Sequence, residues 1–272
     1  MDGREIRLRR LMGEGRCVVI AMDHGLFDGP IPGMKDLRAT ARRVNPCVDA
    51  VLLAPGMVRH CAEAFAGAKR PLAIVRLNWN TVYCFKMDYR RARSVCSCQP
   101  EEAVAEGMDI ALVSLTLRTG EEERDAANVE VFSRLTHACH RLGIPVIGEY
   151  FPTGGAEMTP KQLHDDVLVG SRVVAELGAD AVKTFYTCDF AEVTASCPVG
   201  VLALGAEKLP TQREALLLAQ KAMAGGAAGV VFGRNAIQVP DPAAFQAALC
   251  DVVRGGAAVG KAVRAHRLGE RR

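Results

Sequence analysis

Lys183 is the residue whose setting in this sequence most plainly invites chemistry. It stands in Ala181-Val182-Lys183-Thr184-Phe185-Tyr186, an apolar run where a solvated ammonium is not expected. Removal from water lowers an ammonium's pKa, and a neutral amine is the form that attacks a carbonyl. The resulting Schiff base draws electrons out of a neighbouring carbon–carbon bond. The same spacing also suits a strand-end lysine paired with a carboxylate for packing, and it leaves the two readings even.

Asp23 and His24 follow the apolar stretch Val18-Val19-Ile20-Ala21-Met22. A carboxylate there can handle a hydroxyl proton and an imidazole can shuttle protons near neutral pH; an Asp-His-Gly turn without chemistry is the plainer reading. Gly205-Ala206 and Gly233-Arg234 close two later apolar runs, with Lys208 and Arg234 as nearby cations. Glycine-marked loops before a short helix can hold phosphate on backbone N–H groups, which is favoured here over turns that merely need glycine. His137, Cys139 and His140 share a stretch of helical character, but far from the ends of the apolar runs, and no four-ligand spacing occurs. No metal and no cofactor is implied. Arg90-Arg91-Ala92-Arg93 reads as a surface loop.

The elements that must position these residues are eight short, β-branched runs at 17–22, 48–53, 72–77, 110–115, 146–150, 181–186, 199–204 and 229–232. They are continuously apolar, as strands covered on both faces are. Helical segments with legible ends separate them: Pro100 with Glu101 and Glu102, the stretch 121–142 stopped by Gly143, Thr159-Pro160 to Gly178, and 211–224 before Gly225-Gly226. Eight such repeats predict a single (β/α)8 TIM barrel; an open doubly wound sheet shares the alternation, but no G-x-G-x-x-G follows the first run. One domain is expected over 1–272, with an N-terminal helical extension at 1–14 and a C-terminal tail at 256–272. In such barrels chemistry lies at the carboxyl ends of the strands. That rule selects Asp23-His24, Asn78-Trp79-Asn80, Thr116 to Arg118, Glu149-Tyr150, Lys183, Gly205 to Lys208 and Gly233 to Asn235.

Composition excludes other classes. With 34 Lys+Arg against 31 Asp+Glu, the formal charge of +3 gives no field for nucleic acid or an anionic membrane. No apolar run is long enough to span a bilayer. Ten cysteines in 272 residues, several inside apolar runs, fit reduced thiols and a cytoplasmic location better than a disulfide scaffold.

Taken together, Ala21-Met22-Asp23-His24-Gly25, Ala181-Val182-Lys183-Thr184-Phe185-Tyr186 and Gly229-Val230-Val231-Phe232-Gly233-Arg234-Asn235 resemble the archaeal-type class I aldolases of the DeoC/LacD superfamily. That group also holds aminodideoxyheptulosonate synthases and the thiolase acting on phosphorylated autoinducer-2. The resemblance implies a lyase that makes or breaks a carbon–carbon bond in a small phosphorylated ketose or ketone. Lys183 would be the Schiff-base lysine, Asp23 an acid/base residue, and Gly205 and Gly233-Arg234 the phosphate site. Thiolase-like acyl transfer, with His24 catalytic, and ligand binding without catalysis are the alternatives. It also implies a homo-oligomer, since the family often forms rings of five paired into ten. Two departures stand out. The aldolases carry a tyrosine before a proline at the end of the fifth strand; here Glu149-Tyr150-Phe151-Pro152 puts Phe151 there. Either a bulge restores Tyr150 as proton donor, or Glu149, on the face of Phe151, takes the role. The family's second glycine after the seventh strand is Ala206.

Overall fold

The computed structural model describes residues 2–13, 15–67, 70–89, 91–154 and 157–269. The eight expected apolar runs each carry a barrel strand: β1 (Cys17–Ala21), β2 (Ala50–Leu53), β3 (Leu72–Arg76), β6 (Ile110–Leu115), β7 (Val146–Tyr150), β8 (Ala181–Phe185), β9 (Gly200–Leu204) and β10 (Gly229–Phe232). They pair in parallel and close in the order β1-β10-β9-β8-β7-β6-β3-β2, the (β/α)8 barrel expected. β4 (Asn78–Asn80) and β5 (Ser94–Cys96) form an antiparallel hairpin over the third strand. Sequence reading treats Asn78-Trp79-Asn80 as loop because three-residue strands are too short to show a period. The hairpin is held by polar atoms instead: Asn78 Nδ2 donates to Ser94 Oγ and to Ser114 O, each at 2.7 Å.

Three strand starts use one device. Asp49, Asp109 and Asp180 each precede a strand and accept the backbone N–H of its neighbour, from Val18 (2.7 Å), Ala73 (3.0 Å) and Val146 (2.8 Å). These carboxylates satisfy donors at the barrel's N-terminal edge that the ladder leaves over.

The helices are α1 (Gly3–Met12), α2 (Gly25–Asp28), α3 (Leu37–Ala41), α4 (Pro100–Ala105), α5 (Glu122–Arg141), α6 (Pro160–Glu176), α7 (Phe190–Ser196), α8 (Gln212–Ala224), α9 (Arg234–Ile237), α10 (Pro242–Val253) and α11 (Val259–Ala265). α4, α6 and α8 begin in capping boxes, Gln99 with Glu102, Thr159 with Gln162 and Thr211 with Glu214. The N-terminal extension is α1, whose Leu11 is fully buried against Cys17, Val19, Leu72 and Ile110 and closes the bottom of the barrel. The segment expected as a tail carries α11, with Val259, Ala262 and Leu268 packed into the shell between strands and helices. Met1, Glu14 and 270–272 of those two segments lie outside the described residues, as does Arg90; Arg91 and Arg93 are exposed and Ala92 is buried. Among the described residues no helix is long and apolar enough to cross a membrane.

Inside the barrel, Val19, Ala50, Leu52, Ile74, Leu112, Ile147, Ala181, Leu202 and Val231 form an apolar plug. Period-two alternation places the next inward positions above it: Arg76 after Ile74, Ser114 after Leu112, Glu149 after Ile147 and Lys183 after Ala181.

Candidate active site

Those upper positions gather charge. β7 and β8 pair in register with Glu149 opposite Lys183 and no bulge, so both side chains enter the barrel together. Lys183 Nζ pairs with Glu149 Oε1. Glu149 Oε2 accepts Arg76 Nη2 at 2.6 Å and the Tyr83 hydroxyl at 2.8 Å. Arg76 Nε donates to Asp23 Oδ2, also at 2.6 Å. The guanidinium carbon lies 5.1 Å from the centre of the Phe27 ring and 4.9 Å from that of Tyr83, so two aromatic faces cover it. Asp23, Arg76, Glu149 and Lys183 are all buried, two cations against two anions in one connected chain of contacts.

Burial opposes ionisation of Asp23, but Arg76, Lys183 and His24 outweigh it and hold the carboxyl down at about 2. Glu149 follows the same logic: burial pushes up, Arg76 and Lys183 pull further down, and it stays below its ordinary range. Tyr83 is driven well above the usual phenol by burial and by the Glu149 charge, so it keeps its proton and donates it. The His24 ring, 22% exposed, has Nδ1 3.8 Å from Asp23 Oδ1. Burial takes it down to about 4 against the pull of Asp23, with Lys183, Arg234 and Arg76 adding repulsion. The imidazole is therefore neutral at neutral pH. Gly233 makes room for it: a Cβ there would meet His24 Cε1 at 2.3 Å and Ala21 O at 3.0 Å.

Tyr150 is not in this cluster. With β7 in register it faces the other way and its ring lies over α6, where a Cβ on Gly170 would meet it at 2.2 Å. Its hydroxyl donates to Asp166 Oδ2 at 3.0 Å. Of the two residues weighed for the proton, geometry brings Glu149 to Lys183 and turns Tyr150 outward. A bulge would have been needed to reverse this, and the unbroken pairing of Glu149 with Lys183 leaves no room for one. Phe151 packs edge-on against Tyr83 at 4.5 Å, so an aromatic ring without a hydroxyl occupies that end of β7.

Gly205, Ala206, Lys208, Gly233 and Arg234 do come together, at the ends of β9 and β10. Asn235 clips them: its Nδ2 donates to Gly205 O and Glu207 O, each at 2.7 Å, and its Oδ1 accepts Leu209 N at 2.8 Å. Arg234 Nη2 donates to Ala206 O at 3.0 Å. One sequence expectation needs correction here. The Gly205 N–H donates to Val231 O at 3.0 Å and so extends the sheet instead of pointing at a ligand. Ala206 adopts φ +49°, a conformation that favours glycine, and so keeps the loop shape of the glycine it replaces. Lys208 is half-buried, which pushes its amine down.

Sequence reasoning missed Arg76 and Tyr83. Arg76 carries the signal that singled out Lys183, a charge inside an apolar run, and the same argument applied to Leu72-Ala73-Ile74-Val75-Arg76-Leu77 would have found it. Tyr83 carries no local signal, because the β4–β5 hairpin alone brings it over the barrel. Among the described residues no three His, Cys, Asp or Glu side chains group as metal ligands; His140 bonds Asp180 at 3.0 Å and Cys139 is core.

The family model described as DeoC/LacD family aldolase matches residues 17–239. An uncharacterized aldolase of Saccharolobus solfataricus is 30% identical over 271 residues, covering 97% of this chain and 99% of its own. The 2-amino-4,5-dihydroxy-6-oxo-7-(phosphonooxy)heptanoate synthase of Streptomyces griseus is 31% identical, covering 95% of this chain and 93% of its own. An archaeal fructose-1,6-bisphosphate aldolase, solved with its catalytic lysine covalently bound to the carbinolamine intermediate, superposes with a TM-score of 0.78 at 26% identity, covering 91% of this chain and 98% of that one.

Proposed function

This chain belongs to the DeoC/LacD aldolases, and from that premise we propose that Lys183 is the imine-forming amine of a class I aldolase acting on a phosphorylated ketone. The observation that carries the reading is the in-register Lys183–Glu149 pair in the barrel interior, closed by Arg76 and Asp23. A packed apolar layer would suit stability at least as well as four buried charges, so their presence speaks for chemistry.

Each group has a proton task. Glu149, bonded to Nζ, takes the proton Lys183 must lose before it attacks the ketone carbon. The protonated Glu149 returns that proton to the carbinolamine oxygen as it leaves as water, and an iminium remains. Breaking the neighbouring carbon–carbon bond requires loss of the substrate hydroxyl proton. Neutral His24 accepts it, and Asp23, held ionised by Arg76, stabilises the imidazolium. The bond's electrons move into the iminium, giving an enamine. A proton at the enamine carbon and the addition of water release the ketone and restore the amine. Glu149, ionised again once the first water has left, takes up a proton from solvent and delivers it there, since Tyr150 faces α6, and the His24 imidazolium returns its proton to solvent. The Arg76 Nη1 donor has no hydrogen-bond partner among the described residues and suits a substrate oxygen.

For the phosphate, Gly233, Arg234 and Lys208 offer an N–H and two cations beside the loop that Asn235 holds. The Streptomyces relative's name specifies a phosphonooxy chain with a ketone, and a substrate of that kind fits this order: phosphate at the ends of β9 and β10, carbonyl at Lys183.

Proton exchange tests the assignment without knowledge of the second substrate. In D2O the enzyme should exchange a hydrogen on the carbon beside the carbonyl of dihydroxyacetone phosphate, because the enamine forms and reprotonates. Lys183→Met should not. Exchange at an equal rate by Lys183→Met would remove the lysine from the mechanism.

A further inference from the structure

At the opposite, N-terminal end of the barrel, Cys47 and Cys250 place their sulfurs 2.9 Å apart across 203 residues of chain. Cys47 precedes β2, and Cys250 lies on α10. Both are free cysteines, as is the exposed Cys188. Bonds on either side hold the sulfurs face to face. Asn45 N donates to Gln246 Oε1 at 2.7 Å, Asn45 Nδ2 donates to Ala243 O at 3.0 Å, and Arg254 Nη1 donates to Asp49 Oδ1 at 2.8 Å. The segment at 45–49 is thereby stapled to α10.

Access is one-sided. Cys250 is 5% exposed, while Cys47 is half-buried and lines a cleft of about 280 Å³ with Arg10, Asp49, Arg70 and Arg254. Three guanidinium groups line it against Asp49, with Asp109 3.7 Å from Arg10, so positive charge remains in excess and the cleft favours anions. The neighbouring Cys250 thiol, with Arg254, lowers the Cys47 thiol against burial and the charges of Asp49 and Asp251.

We propose that this pair is a thiol-modification site, in which Cys47 reacts with a small disulfide bearing carboxylates and Cys250 resolves the product as an internal disulfide. In the first exchange the Cys47 thiolate attacks one sulfur of the small disulfide. That S–S bond breaks, a mixed disulfide forms at Cys47, and the departing thiolate takes a proton from solvent. In the second, Cys250 loses its proton to solvent and its sulfur attacks that of Cys47, releasing the other half as a thiolate that is protonated in turn. The two protein thiols are oxidised by two electrons, and the small disulfide is reduced to two thiols. Cys47 is the attacking residue because it lines the cleft; Cys250 is the resolving one because it is buried with its sulfur against that of Cys47.

The experiment treats the full chain with oxidised glutathione, whose carboxylates make it the anionic probe, and with the cationic disulfide cystamine. Intact mass and peptide mapping read the products. The expected result is a Cys47–Cys250 cross-link in the parent protein and one glutathione retained on Cys47 in Cys250→Ser, with cystamine several-fold slower at this site. The cross-link should raise Tm by roughly 5–15 °C, since it closes a very long loop. Exposed Cys188 reports that the reagent is active. Modification of Cys188 with Cys47 left reduced, or a stable mixed disulfide on Cys47 beside a reduced Cys250 in the parent protein, would overturn the proposal. Equal rates for the two probes would overturn the role given to the arginines. Because the pair lies at the far end of the barrel from Lys183, none of these outcomes bears on the aldolase reading.

Discussion

The lower and upper halves of the barrel interior are built from the same strands on the same inward face, yet they obey opposite rules. Below, Val19, Leu52, Ile74, Leu112 and Ile147 interlock with no polar atom to satisfy. Each such side chain contributes about 1.5–3 kcal/mol by leaving water. One pleat above, Arg76, Glu149 and Lys183, with Asp23 after β1, are also buried but are tolerable only as a set. Each charge loses its hydration, and its partners must replace what water gave. Deep burial by itself therefore does not mark a stabilising residue. The lower layer makes the barrel, and the upper layer uses its rigidity to hold charges at fixed positions.

The difference can be sharpened by perturbing both layers. The largest effect is expected in turnover from Glu149→Gln, which keeps the shape and removes the proton carrier. Turnover should fall by roughly 10²–10⁴-fold, while the slower imine formation stays detectable. Retained activity would move the proton to another group. Next comes a contrast on β3 alone. Arg76→Met strands two buried carboxylates and should cost roughly 3–5 kcal/mol near neutral pH, with less loss in acid, where Asp23 and Glu149 can be protonated. Ile74→Ala should cost about 2–5 kcal/mol with no such pH dependence. Urea titrations at several pH values compare them; matching pH profiles would erase the distinction between the layers.

Acid should weaken the parent protein in two stages. His24 sits at about 4 in the folded chain, below its ordinary value. The unfolded chain therefore binds the extra proton first, and stability falls between about pH 6.5 and 4. Asp23, at about 2, adds a loss as pH drops below its usual value toward 2. The upper stage amounts to roughly 3 kcal/mol and the lower to roughly 2 kcal/mol. His24→Asn should flatten the upper stage and Asp23→Asn the lower, and stability curves that keep both stages in the variants would contradict these assignments. The smallest effect belongs to Ala206→Gly, which releases the φ +49° conformation. Relief of strain against glycine's entropy leaves a gain of about 0.5 kcal/mol. A loss on that scale would mean the loop is not strained.

Legibility in the sequence follows the same division. The lower layer is repetitive and apolar, so all eight strands could be placed from β-branched runs, and Lys183 stood out against that background. The upper layer is assembled from side chains of different strands, and only their pairing shows who meets whom. Glu149 against Tyr150 is the instructive case: the sequence offered both, and the parity of β7 in register with β8 decides between them. Arg76 was visible by the rule that found Lys183. Tyr83 was not, because a hairpin held by buried asparagines has no hydrophobic period to read.

The central claim is that the amine opposite Glu149 forms an imine with a phosphorylated ketone. Incubation with dihydroxyacetone phosphate and borohydride, followed by peptide mass mapping, tests it most directly. The account predicts one reduced adduct per chain, on the peptide holding Lys183, absent in Lys183→Met and present in Tyr150→Phe. An adduct elsewhere, or equal labelling of Lys183→Met, would contradict it.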